Sequence, residues 1–156
     1  MPQRSCLTPL GPLSVSEEDG AIVALDWGQG RDQDDTPLLR RACRQLQEYF
    51  DGARRAFDLP LNPAGTSFQR RVWQALREIP AGETRSYGDL AASLGTSARA
   101  IGGANAANPI PILIPCHRVV GAAGALGGYS GGDGVPTKRF LLALEARAAA
   151  SGGATR

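Results

Sequence analysis

Cys116-His117-Arg118 is where this sequence concentrates its chemistry. The chain's single histidine stands beside one of its three cysteines, with a guanidinium next in line. A thiol attacks well only as thiolate, and an unperturbed cysteine, with a pKa of roughly 8.5, is mostly protonated at neutral pH. A neighbouring base or cation is the usual remedy, and His117 and Arg118 offer one of each. The alternative is an inert cysteine buried for packing beside a surface histidine. The flanks favour reactivity. An apolar lead-in, Pro111-Ile112-Leu113-Ile114-Pro115, runs up to the pair, and a glycine-rich stretch from Gly121 to Gly134 leads away from it. That stretch is no phosphate loop, because it lacks the Walker spacing and its Gly-Lys-Ser/Thr ending.

The rest of the chain must position these groups. Its 156 residues fit one domain or two small ones, and 42% apolar with 21% charged residues is ordinary for a soluble globular protein. No apolar run is long enough for a membrane span, and no basic and apolar opening suggests a secretory signal. Three cysteines far apart make no disulfide framework, and with one histidine they make no zinc site, so no metal and no cofactor is expected. The cytoplasm is the expected compartment, where Cys116 stays reduced. A net charge of +2 is too small to argue for nucleic acid, but Arg70, Arg71, Arg77, Arg85, Arg99 and Arg118 recur through the middle and C-terminal parts.

Residues 7–27 read as a β-hairpin turning at Glu17-Glu18-Asp19-Gly20, and residues 37–50 as a helix with Pro37 in its first turn. Residues 56–61 look like a short strand. No chemistry is visible in these first sixty residues, and Cys6 and Cys43 read as packing residues. Asn62-Pro63-Ala64-Gly65 is the best linker, dividing residues 1–62 from residues 63–150, with 151–156 as a flexible tail. Thr66 and Gln69 have the capping-box form ahead of a helix whose apolar face is Phe68, Val72, Leu76 and Ile79. A short helix from Ser86 to Leu94, a turn at Gly95-Thr96-Ser97 and a helix over 98–106 make a candidate helix-turn-helix. The last of these is built of Ala and Gly apart from Arg99, Ile101 and Asn105. Such small residues permit either close packing against a neighbour or close approach of the backbone to a confined surface such as a DNA groove. An apolar strand is expected to run to Cys116. Thr137 is expected to cap a last amphipathic helix that frays from Ala148.

Ile114-Pro115-Cys116-His117-Arg118-Val119-Val120 resembles the active-site signature of the O6-alkylguanine-DNA alkyltransferases, the methylated-DNA–protein-cysteine methyltransferases. Gly65-Thr66-Ser67-Phe68-Gln69, Val72-Trp73, Ile79-Pro80, Gly82-Glu83-Thr84, Ser86-Tyr87-Gly88, Asn108-Pro109, Gly128-Tyr129-Ser130-Gly131-Gly132 and the run from Lys138 to Glu145 fit the same family in order. The resemblance is strong from Gly65 to Glu145 and looser from Thr8 to Leu61. It implies an α/β protein: a small ribonuclease-H-like N-terminal domain and a mainly helical C-terminal winged helix-turn-helix domain that carries the cysteine.

The resemblance also implies a reaction. Cys116 matches the cysteine that takes the alkyl group from guanine O6, once and irreversibly. His117 matches the base that reaches it through a water, and Glu145 the carboxylate that orients the base. A water is needed because neighbours on an extended segment point in opposite directions. Tyr87 matches the donor to the departing guanine, and Asn108 the asparagine that holds the turn near the cysteine. Ser130, Tyr129, Val119 and Arg118 are implied around the substrate, with the Cys116 and Val119 carbonyls accepting from the guanine amino group. Thr84, Ser86, Ala98, Arg99 and Gly102 are implied at double-stranded DNA, in the minor groove, with Arg99 filling the space of a flipped-out base. The turn before Arg99 is shorter than is usual in the family. A monomer is expected, with cooperative binding along DNA as an option. Competing readings are a lesson-bearing variant of the same fold (an alkyltransferase-like protein that binds lesions without repair), a methylation-sensing regulator, and a Cys-His hydrolase. The first lacks the cysteine, the second wants a further DNA-binding domain for which few residues remain, and the third needs an oxyanion hole.

Overall fold

The computed structural model describes residues 1–129 and 131–150. Three antiparallel strands open the chain, β1 (Gln3–Thr8), β2 (Gly11–Glu18) and β3 (Ala21–Trp27), in the order β1-β2-β3. The expected hairpin is the β2–β3 pair, and β1 is an additional strand, paired from Gln3↔Ser16 to Thr8↔Gly11. Its sequence, Gln-Arg-Ser-Cys-Leu-Thr, has too few apolar residues to announce an edge strand. Helix α1 (Pro37–Phe50) begins at Thr36, whose side chain accepts from the Leu39 amide. Leu39, Ala42, Leu46 and Tyr49 bury its apolar face, together with Leu13, Val15, Ile22 and Leu25 in one core.

Two expectations for this half are corrected. Residues 56–61 form no strand; the segment reaches the sheet only through an isolated parallel bridge, Ile22↔Leu61. Pro60 cannot donate to a ladder, and the register ends with it. Cys6 and Cys43 are not simple packing residues but are joined in a disulfide. Packing of α1 on β1 brings their Cα atoms to 5.5 Å, within the span a disulfide bridges. A separation of 37 residues hid this pairing from the sequence.

The remaining elements are α2 (Ser67–Arg77), β4 (Arg85–Ser86), α3 (Tyr87–Leu94), α4 (Ala98–Ala106), β5 (Val119–Val120) and α5 (Val135–Ala150). The capping box at α2 is formed in both directions between Thr66 and Gln69. Helix α3 ends at Gly95 in the left-handed region, φ 69°, where a side chain would be strained, and Ser97 then caps α4 by accepting from the Ala100 amide. This three-residue turn sets α3 against α4 as a helix-turn-helix. The indole Nε1 of Trp73 donates to the Ala104 carbonyl at 2.9 Å and fixes α4 to α2. Helix α5 starts two residues before Thr137, which instead accepts from the Asp133 amide, and it continues through Ala148 to Ala150. The tail from residue 151 and Ser130 lie outside the described residues. Among the described residues no helix is long and apolar enough to cross a membrane.

Candidate functional site

The lead-in to Cys116 is not a strand. The Leu113 amide donates to the Pro111 carbonyl at 2.9 Å, a γ-turn centred on Ile112, and the Cys116 amide donates to the Ile114 carbonyl at 2.8 Å around Pro115. Ile112 takes φ 72°, a conformation that costs a β-branched residue on the order of 1–3 kcal/mol. Two prolines and complete burial of residues 110–120 leave the chain little alternative. Asn108 holds the folded segment from both ends: its Nδ2 donates to the Ile114 carbonyl at 2.8 Å, and its Oδ1 accepts from the Ile110 amide at 3.0 Å.

Cys116, His117 and Arg118 then form one turn of 3-10 helix. Three residues per turn send successive side chains in three directions, so adjacent residues serve different neighbours. Cys116 faces a cavity of about 360 Å³ lined by Tyr87, Gly102, Asn105, Ala106, Gly128 and Tyr129. The parallel bridge of β4 to β5, Arg85↔Val119 and Ser86↔Val120, brings Tyr87 to this cavity. Asn105, which the sequence did not single out as a site residue, donates from Nδ2 to the Cys116 carbonyl at 3.2 Å.

His117 is fully buried and points away from the cavity, with Nε2 at 2.7 Å from Glu145 Oε2. Since a carboxylate can only accept, Nε2 carries the proton and the partnerless Nδ1 is the basic nitrogen. Arg118 is turned to the same carboxylate: Nε donates to Oε1 and Nη2 to Oε2, each at 2.9 Å, while Nη1 donates to the Ile79 carbonyl at 2.6 Å. The guanidinium that stood beside the thiol in sequence is therefore engaged elsewhere. The cation near the thiol is Lys138, wholly buried, whose Nζ donates to the carbonyls of Val119 at 2.7 Å and Gly128 at 3.2 Å. Nothing in its spacing marked it. Tyr49 was missed too, because it lies in the half where no chemistry was expected; its hydroxyl donates to Glu145 Oε2.

Burial sets the charges. It pushes the Cys116 thiol up, against Asn108, Tyr129 and Lys138, which favour the thiolate. Burial lowers His117, partly offset by Glu145, so the imidazole is held neutral. Burial also opposes ionisation of Glu145, but His117 and Arg118 outweigh it and keep the carboxyl far below the usual carboxylate range. Tyr87 and Tyr129 are raised by burial and by the nearby thiol, and both remain proton donors. The Tyr129 hydroxyl is enclosed without a hydrogen-bond partner of good geometry and lies within electrostatic reach of Cys116.

The residues expected at DNA occupy a different surface. Thr84, Ala98 and Arg99 are exposed, Gly102 borders the cavity, and Ser86 uses its side chain to cap α3. In α4, Ile101, Ala104 and Asn105 face inward. A Cβ at Gly103 would meet nothing within 4 Å, and one at Gly102 would only touch the Tyr87 ring. The glycines are therefore not required by packing against a neighbouring helix.

Fold and site together define a helix-turn-helix protein whose chemistry resides in one enclosed, reduced cysteine. Residues 67–147 match the DNA-binding domain of 6-O-methylguanine DNA methyltransferase, and residues 4–63 match the ribonuclease-like domain of the same protein. The chain is 48% identical to the constitutive methylated-DNA–protein-cysteine methyltransferase of Bacillus subtilis, over 88% of this chain and 91% of that one. It is 43% identical to the methylated-DNA–protein-cysteine methyltransferase of Methanosarcina acetivorans, over 88% and 94%. The crystal structure of Mycobacterium tuberculosis OGT in complex with DNA superposes with a TM-score of 0.83 at 43% identity, covering 94% of this chain and 93% of that one. The chain belongs to the 6-O-methylguanine DNA methyltransferase family, with its α/β fold of ribonuclease-like and winged-helix parts.

Proposed function

We propose that the protein repairs DNA by moving the alkyl group of O6-alkylguanine onto Cys116. The carrying observation is Cys116 at the wall of the Tyr87–Tyr129 cavity, with the His117–Glu145 pair directly behind it. The thiol proton passes through a water to His117 Nδ1, the sulfur attacks the alkyl carbon in line, and the carbon–O6 bond breaks. Tyr87 protonates or hydrogen-bonds the departing guanine, whose developing anion would otherwise leave poorly. Tyr129 walls the base, with Ser130 beside O6, and the Cys116 and Val119 carbonyls retain a free lone pair each for its amino group. Arg118 acts from behind, by gripping Glu145. The product thioether has no route back to a thiol, so each molecule acts once.

In the same reading residues 1–62 are a structural domain and residues 63–150 bind DNA and accept the alkyl group. Helix α4 enters the minor groove on its small-residue face and Arg99 takes the place of the flipped base, with Ala98, Gly102, Ser86 and Thr84 at the backbone. The protein works as a monomer in the cytoplasm. Incubation with duplex carrying O6-[methyl-labelled]guanine tests it: label moves to protein one-for-one, and not at all to Cys116→Ser. Absence of transfer, or undiminished transfer by the variant, refutes the reading.

A further inference from the structure

Glu145 is served from an unexpected quarter. Its Oε2 accepts from three donors, His117 Nε2–H, Arg118 Nη2 and the hydroxyl of Tyr49, while Oε1 takes only Arg118 Nε. Two of these donors come from the turn that carries Cys116. The third comes from α1, ninety-six residues earlier in the chain. Tyr49 is itself locked: it is 2% exposed, with Phe50 and Phe57 rings at 5.2 and 5.3 Å between centroids. A rigid aromatic buried among aromatics would ordinarily be phenylalanine unless its hydroxyl had a partner to serve.

We infer that Tyr49 is a positioning residue for alkyl transfer, its hydroxyl holding Glu145 and sharing the carboxylate's charge so that His117 stays a neutral base. The inference rests on the proposed role of His117 as base. An oxygen shared among three donors stabilises an imidazolium less than one shared between two. With Tyr49 gone, Oε2 turns more of its charge on His117, and protonation of Nδ1 becomes easier. The other groups facing this cluster are Arg118 on the cysteine turn, Lys138 on α5, Cys116 and the Tyr129 hydroxyl. The cations disfavour the imidazolium and remain in place when Tyr49 loses only its oxygen.

Tyr49→Phe keeps the ring and removes the donor. Because the chain has a single histidine, the imidazole titration can be followed by NMR without substrate and without ambiguity. The expected result is an upward move of the His117 midpoint by roughly half a pH unit or more, as loss of a hydrogen bond to a charged group implies. Transfer from free O6-benzylguanine falls about 10-fold near neutrality and recovers at higher pH. An unmoved midpoint overturns the inference, whether or not the variant is less stable, since a purely structural role would lower stability alone. Tyr49→Phe in a Glu145→Gln background serves as control: with no carboxylate to share, it should bring no further shift, and an equal shift there also overturns the inference. Wild type that transfers no alkyl group would instead refute the proposed function, leaving the titration to be judged by itself.

Discussion

At the scale of single residues the site is a set of decisions about protons. His117 is the clearest case, since its folded form resists the proton that an unfolded chain would take at about pH 6.5. A group with a depressed folded pKa contributes stability above its unfolded value and loses it as pH falls towards the folded one. Unfolding free energy should therefore decline between pH 7 and 5, by at most about 1.4 kcal/mol per pH unit from this group. His117→Gln, measured by urea denaturation, should flatten that window; an unchanged slope would assign it to other groups. Glu145 works in the same sense at lower pH. Its contribution is present above about pH 4.3 and is withdrawn only well below it, because His117 and Arg118 keep it ionised. The chemistry of Cys116 and His117 was legible from their types and adjacency. What adjacency could not reveal was the division of labour, since a 3-10 turn sends the imidazole and the guanidinium to one carboxylate and leaves the thiol to Lys138.

At the scale of elements, helices were legible where caps and periodicity agreed. The bounds 37–50 and 98–106 follow directly from Pro37 and Thr36, and from Ser97. Segments without periodicity were not legible: residues 110–116 read as a strand because γ-turns leave no composition signal beyond Pro and bulk. Helix α4 offers the sharpest test, because the two roles for its small residues predict opposite outcomes. Space is open at Gly103, so Gly103→Leu should gain helix propensity, roughly 1 kcal/mol, and leave the fold intact. It should nevertheless weaken duplex binding at least about 10-fold, since a bulky side chain would hold the backbone away from a groove about 6 Å wide. Loss of stability with normal binding would restore the packing explanation. Arg99→Ala belongs to the same helix. It should slow repair in duplex DNA while sparing attack on free O6-benzylguanine, and equal losses on both substrates would move the arginine out of the flipping role.

At the scale of the whole molecule, the N-terminal part is more than a platform. Its β3 ends at Trp27, packed edge-on to Tyr129 at 6.4 Å and lying where a Cβ on Gly131 would collide with the indole. The Leu25 amide donates to the Pro109 carbonyl at 3.0 Å, next to the asparagine that shapes the cysteine turn. Tyr49 completes the seam from α1. Whatever steadies α1 on the sheet therefore steadies the site, and the Cys6–Cys43 link does so by covalent means. Closing a loop of 37 residues lowers the entropy of the unfolded chain by an amount worth about 3–4 kcal/mol in the chain-entropy model. Native protein kept from reductants should then titrate as one thiol, Cys116, and as three after reduction and unfolding. Cys43→Ser should lower the unfolding free energy by about 3 kcal/mol while leaving alkyl transfer at 25 °C within about twofold, because Tyr49 stays in the packed face of α1. The two measurements separate the bond from the site it supports. A stable Cys43→Ser protein would show that the packing of α1 on β1 suffices, whereas a stable but inactive one would mean that the disulfide sets the position of Tyr49 directly.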